Sequence, residues 1–67
     1  MTVKEIVEKV DKKRLYTTGE IAEMLGVTTS TVRYWIGKGW LEGIRVGGRF
    51  KVEGESLLKF LEKGIKQ

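Results

Sequence analysis

At 67 residues the chain is expected to form one domain, residues 1–67, with a thin core, because a chain of about 60 residues buries only about 60% of its unfolded surface. It contains no cysteine, no histidine and a single aspartate, which argues against disulfides, the commonest metal ligands and a supported acid–base pair, so no cofactor, no metal and no enzymatic activity are expected. No apolar run approaches the roughly 20 residues of a membrane span, and glutamates interrupt what would have to be an apolar signal segment, so a soluble cytoplasmic protein without a membrane partner is expected.

The net charge of +4 and the pI of about 9.6 are a weak pointer to nucleic acid until their distribution is considered. Residues 1–26 balance, with Lys4, Lys9, Lys12, Lys13 and Arg14 against Glu5, Glu8, Asp11, Glu20 and Glu23. Residues 52–67 balance as well. The whole excess lies in residues 27–51, where Arg33, Lys38, Arg45, Arg49 and Lys51 face only Glu42, as a dedicated polyanion-binding face requires.

In chain order, residues 2–12 read as an amphipathic helix. Val3, Ile6, Val7 and Val10 form one stripe, Glu5 with Lys9 and Glu8 with Lys12 make favourable i,i+4 pairs, and Thr2 with Glu5 matches a capping box. So short a helix is marginal alone, and its stripe either completes the core or makes a dimerisation surface. Leu15 and Tyr16 form a short extended lead-in. Thr17 and Glu20 then form a second capping box, and Tyr16 with Ile21 a hydrophobic staple, so a helix opens here with Ile21, Ala22 and Leu25 on its inner face and Gly26 as its end.

Thr28 caps the next helix, Val27 staples to Val32, and Val32, Trp35 and Ile36 face inward as far as about Lys38. Gly39 follows as its cap, with Trp40 placed to pack back on Trp35; both tryptophans are read as core in preference to stacking platforms for bases. Two short helices joined by a glycine-containing turn are the helix-turn-helix arrangement.

Residues 44–52 alternate apolar and polar around Gly47 and Gly48, the signature of a hairpin. A two-residue loop would pair Val46 with Arg49 and set Arg45 on the face of Phe50, mixing the faces. The preferred reading is a three-residue loop of Gly47, Gly48 and Arg49, with Val46 opposite Phe50, Ile44 opposite Val52, Arg45 and Lys51 together on the polar face, and Arg49 at the tip. Glu53 and Gly54 start a last helix that runs to about Lys63, its inner face made by Leu57, Leu58, Leu61 and Phe60, with Gly64 as its stop.

The second helix of a helix-turn-helix presents its N-terminal residues to base edges in the major groove, which here are Thr29, Ser30 and Arg33, with Thr28 at the cap. Hydroxyls serve base edges or phosphates, whereas the arginine fork grips guanine O6 and N7, so Arg33 is a candidate for base readout, with a phosphate contact as the alternative. Tyr34 beside it either donates to a phosphate or packs at the helix edge. Gly37 on the same outward face reads as close approach of a DNA backbone or as fraying near the helix end. Arg45, Arg49 and Lys51 fall in the hairpin, where a narrow minor groove attracts an arginine at the tip; an ordinary solvated basic hairpin is the alternative.

The stretch TTGEIAEMLGVTTSTVRYWIGKGWLEGIRVGGRFKV resembles the DNA-binding domain of excisionase and MerR-type winged helix-turn-helix proteins over roughly residues 15–62. The resemblance rests on the opening at Tyr16 and Thr17, the EIAEMLGV helix with its glycine turn, the TVRYW core of the second helix and the short wing IRVGGRFKV. It implies a mainly α fold with a small β-hairpin, a winged helix-turn-helix to which residues 1–14 add an extra N-terminal helix. It also implies that the wing, through Arg45, Gly48, Arg49 and Lys51, contacts backbone and minor groove. In MerR-type proteins the residues matching Arg33 and Tyr34 contact the DNA backbone, which pulls against base readout by Arg33 and leaves its partner open. The wing is of the short excisionase type, and residues up to Gln67 supply no long dimerising helix or effector domain, so a metal- or drug-sensing activator is not expected.

The expected function is that of a small non-enzymatic DNA-binding protein, an excisionase-like recombination accessory factor or a transcriptional regulator. Its expected partners are double-stranded DNA, a second copy in a homodimer or in tandem cooperative binding, and an integrase or recombinase; its expected location is the nucleoid. The candidate DNA-binding residues are Thr28, Thr29, Ser30, Arg33, Tyr34, Lys38, Arg45, Gly48, Arg49 and Lys51. The alternative is a winged-helix protein-interaction module without DNA binding. That would call for an acidic or apolar outer helix face, and Ser30, Arg33, Tyr34 and the basic hairpin argue against it.

Overall fold

Local capping chemistry places the two central helices. The computed structural model describes residues 3–63. The elements in order are α1 (Val3–Lys9), β1 (Leu15–Thr17), α2 (Thr18–Leu25), α3 (Thr29–Gly37), β2 (Ile44–Val46), β3 (Arg49–Glu53) and α4 (Gly54–Lys63). At the start of α2 the Thr17 N–H donates to Glu20 Oε1 at 3.0 Å and the Glu20 N–H donates to Thr17 Oγ1 at 3.1 Å, the complete capping box expected from the sequence. Gly26 ends α2, and the Val27 N–H returns to the Ala22 carbonyl at 2.9 Å. Thr28 caps α3 by accepting the Thr31 N–H at 3.2 Å. At the far end of α3 the Gly39 and Trp40 N–H groups bond back to Ile36 and Trp35, the paired closure of a Schellman turn.

The hairpin is joined by a third strand. β1, expected only as an extended lead-in, pairs antiparallel with β3, setting Tyr16 opposite Val52 in a sheet of order β1-β3-β2. Tyr16 and Val52 lie on its inner face and are buried, and α2, α3 and α4 pack around them with Ile21, Ala22, Val32, Trp35, Leu57, Leu58, Phe60 and Leu61. All four inward residues expected of α4 are buried, whereas Leu25 and Ile36 are only partly so. Gly64, the expected stop of α4, lies outside the described residues.

Two expectations about packing are corrected. Both tryptophans belong to the core, Trp35 buried and Trp40 partly buried against it, but their ring partners are not each other: Trp35 takes Phe60, with centroids 5.1 Å apart, and Trp40 takes Tyr34 in a T-shaped contact at 5.7 Å. The second concerns α1, which ends at Lys9, three residues short of the expected Lys12. The Asp11 N–H, which would continue the helix, donates instead to the Tyr16 hydroxyl at 2.8 Å, and the Asp11 carboxylate captures the Lys13 N–H at 2.9 Å. Lys12 therefore leaves the helix, and the i,i+4 pairing expected between Glu8 and Lys12 loses its geometry. Ile6 and Val10 are buried in the common core, so the stripe of α1 serves the core; Thr2 and the side chain of Val3 lie outside the described residues.

Behind this arrangement is a close backbone approach. The Gly54 N–H donates to the Arg14 carbonyl at 2.8 Å, and the Asp11 carbonyl occupies the space where a side chain on Gly54 would begin. Only glycine fits at that position.

Candidate nucleic-acid interface

The hairpin turn determines which side chains face the helices. Gly47 and Gly48 have φ of 57° and 81°, and positive φ at both central residues makes a type I′ turn whose twist matches that of paired strands. The register is accordingly that of a two-residue loop, with Val46 opposite Arg49, Arg45 opposite Phe50 and Ile44 opposite Lys51. This overturns the three-residue loop expected from hydrophobic alternation. The physical reason is that Ile44, Arg45 and Val46 are all exposed, so burial does not select the register of β2 and turn geometry does.

The consequence for the site is direct. Arg45 and Phe50 share the face turned towards the helices, with the Arg45 guanidinium 5.5 Å from the Phe50 ring centroid. Lys51, expected beside Arg45, sits on the opposite face with Thr17 and Ile44. Arg49, expected at the tip, stands beside the turn, and the tip itself is the bare backbone of the two glycines.

One groove of about 610 Å³ joins three elements. The start of α2 contributes Thr17, Thr18 and Gly19, α3 contributes Thr29 and Arg33, and the wing contributes Arg45, Gly48, Arg49 and Phe50. Three arginines and no carboxylate line it, and the first backbone N–H groups of α2 open at its edge, a favourable place for negative charge.

Of the ten candidate residues, Thr29, Arg33, Arg45, Gly48 and Arg49 are thus brought together. Ser30 is exposed on the outer turn of α3, outside the groove. The Thr28 hydroxyl is engaged in the cap and lies 3.0 Å from the Thr31 hydroxyl. Tyr34, 54% exposed, forms a second cluster in which the Lys38 ammonium stands 5.5 Å over its ring and Trp40 meets its edge.

Sequence reading missed Thr18, Gly19 and Phe50 as groove residues and gave Thr17 only a capping role. The capping box already located the open start of α2 and could have indicated the first two; Phe50 was hidden by the wrong parity of the hairpin.

Glu20 belongs to the same helix start but points elsewhere. Its second oxygen accepts Arg14 Nη2 at 2.7 Å, above a separate hollow of about 390 Å³ bounded by α1, β1 and α2. The hydrogen bond from the Thr17 N–H lowers its pKa; burial opposes this, and the charge of Arg14, the Thr17 hydroxyl and the charge of Lys51 add to the lowering. The Glu20 carboxylate, its ionised form favoured by these contacts, therefore holds the helix start in place without lining the groove.

No described helix is long and apolar enough to cross a membrane. No curated protein and no solved structure matches the chain at a significant level. A family model described as a helix-turn-helix domain matches residues 15–64, most of the chain. With the two capped helices, the basic groove and the short wing already in place, the chain belongs to this excisionase-like helix-turn-helix family, whose helix-turn-helix points to DNA as the ligand.

Proposed function

We propose that the protein is a small non-enzymatic DNA-binding protein that sets α3 in the major groove and its wing on the adjacent backbone and minor groove. The supporting observation is the single groove in which α3, the start of α2 and the wing converge, with Arg33, Arg45 and Arg49 and no carboxylate. Phosphates supply most of the affinity in such complexes, and three arginines with open helix amides suit them. Thr29 and Arg33, on the first turns of α3, are the residues proposed to meet base edges or flanking phosphates. Glycines at the tip of the wing let the backbone itself approach the duplex.

A single module of this size buries roughly 600 to 1,000 Å² on DNA, so affinity for one site is modest and useful occupancy depends on tandem or paired copies. Action as a recombination accessory factor beside an integrase, or as a regulator at a promoter, is compatible with that requirement, and both place it at the nucleoid.

The test is selection of bound sequences from random duplex DNA, followed by a salt titration on the selected site. If three to five cations neutralise phosphates, log K against log salt is expected to have a slope of about −3 to −4.5. Binding that ignores salt would sink the proposal, and a consensus would give site length, spacing and symmetry together.

A further inference from the structure

We infer that Phe50 is a positioning residue of the proposed DNA-binding site, its ring holding the Arg45 guanidinium over the groove before any DNA arrives. The inference rests on the DNA-binding reading for its consequence and on the free protein for its geometry. The type I′ turn sets Arg45 directly opposite Phe50, where side chains share one face of the ribbon and lie in reach of each other. At 5.5 Å from the ring centroid, the guanidinium lies within the roughly 6 Å over which an aromatic face attracts a cation. Both residues line the groove that Arg33 borders from α3.

The wing gives Arg45 little else to lean on. β2 is exposed along its whole length, and an arginine on an exposed strand otherwise samples many rotamers. Stacking removes part of that freedom in advance, so less is lost when the guanidinium grips a phosphate. Phe50 is only partly buried, so its ring remains open to the cation. An aliphatic residue at 50 fills the same space but gives the guanidinium no face on which to rest.

Binding to a short fluorescein-labelled duplex, measured by anisotropy, tests the consequence. Phe50→Leu is expected to weaken binding about two- to fivefold, the range of an exposed cation–ring contact, and Phe50→Tyr to match the wild type. In an Arg45→Ala background Phe50→Leu is expected to change nothing further. The geometry is tested without DNA by the Arg45 Nε–Hε proton resonance, expected to be shifted upfield by the ring in the wild type and in Phe50→Tyr but not in Phe50→Leu. Thermal melts identify any variant that fails to fold, and Phe50→Met then replaces Phe50→Leu. An unshifted resonance in the wild type, or an equal loss of binding with and without Arg45, overturns the positioning role and leaves DNA binding standing. A wild type that binds no duplex overturns the DNA-binding reading instead, and the resonance still decides whether the ring orders Arg45.

Discussion

The Glu20 carboxylate accepts the Thr17 N–H on one oxygen and the Arg14 guanidinium on the other, joining the start of α2 to the strand before it. Because these contacts lower its folded pKa, the folded state binds a proton there less readily than the unfolded chain does. The stability it contributes is present above the ordinary glutamate value of about 4.3 and is lost as pH falls through the lower, folded value. Glu20→Gln keeps an oxygen for the capping box and removes the charge. Its melting temperature is expected to lie slightly below that of the wild type at neutral pH, and the gap to shrink at an acid pH below the ordinary glutamate value. Thermal unfolding followed by circular dichroism at both values checks this; a gap that stays constant would show that the charge of Glu20 plays no part. The two wing arginines differ in the same concrete way, since Arg45 has a ring beneath it and Arg49 stands beside a turn.

Among the elements, the wing is the one whose geometry depends on two particular residues. No atom lies within 4 Å of a side chain added at Gly47 or Gly48, so substitutions there act through the backbone alone. Asparagine tolerates positive φ and is the preferred first residue of a type I′ turn, so Gly47→Asn is expected to leave the hairpin intact. Gly48→Val puts a β-branched residue at φ 81° and is expected to destabilise the hairpin by at least about 1–2 kcal/mol, seen as faster amide exchange at Val46 and Arg49. Equal protection in the two variants would contradict the turn assignment. The helices were legible in the sequence because their signals are local: Thr17 with Glu20, Thr28, Gly26 and Gly39 each act within a turn of their own position. The register of the wing was not, because parity was judged by assuming that Ile44 and Val46 are buried, and they are about half exposed. The extended run at Leu15 and Tyr16 was legible but its pairing was not, since three residues carry little periodicity and their partner, β3, lies more than thirty residues further on. The groove inherited both gaps: its arginines were evident from charge, and its Phe50 floor was not.

For the molecule as a whole, the 31 × 27 × 19 Å body divides its work between two sides, with the arginine groove bounded by α2, α3 and the wing and α1 docked against α4. Two glycines separate those roles experimentally. A side chain at Gly54 would collide with the Asp11 carbonyl oxygen, so Gly54→Ala is expected to cost about 1–3 kcal/mol or more and to lower the melting temperature by about 4–8 °C per kcal/mol. Gly37, in the last turn of α3 with open space around it, is the opposite case: Gly37→Ala is expected to gain up to about 1 kcal/mol and leave DNA affinity unchanged. Melts of both variants with binding curves for Gly37→Ala check the pair, and weaker binding by a stabilised Gly37→Ala would mean that the DNA backbone approaches there. The Asp11–Gly54 contact has a kinetic side as well. Its residues are 43 positions apart, so the contact closes only once the intervening strands and helices have brought its two halves together, and the entropy of that long loop is repaid late. The Asp11–Gly54 contact is therefore a gauge of assembly: in a chain in which Asp11 is seated on Gly54, the elements that frame the arginine groove are in place.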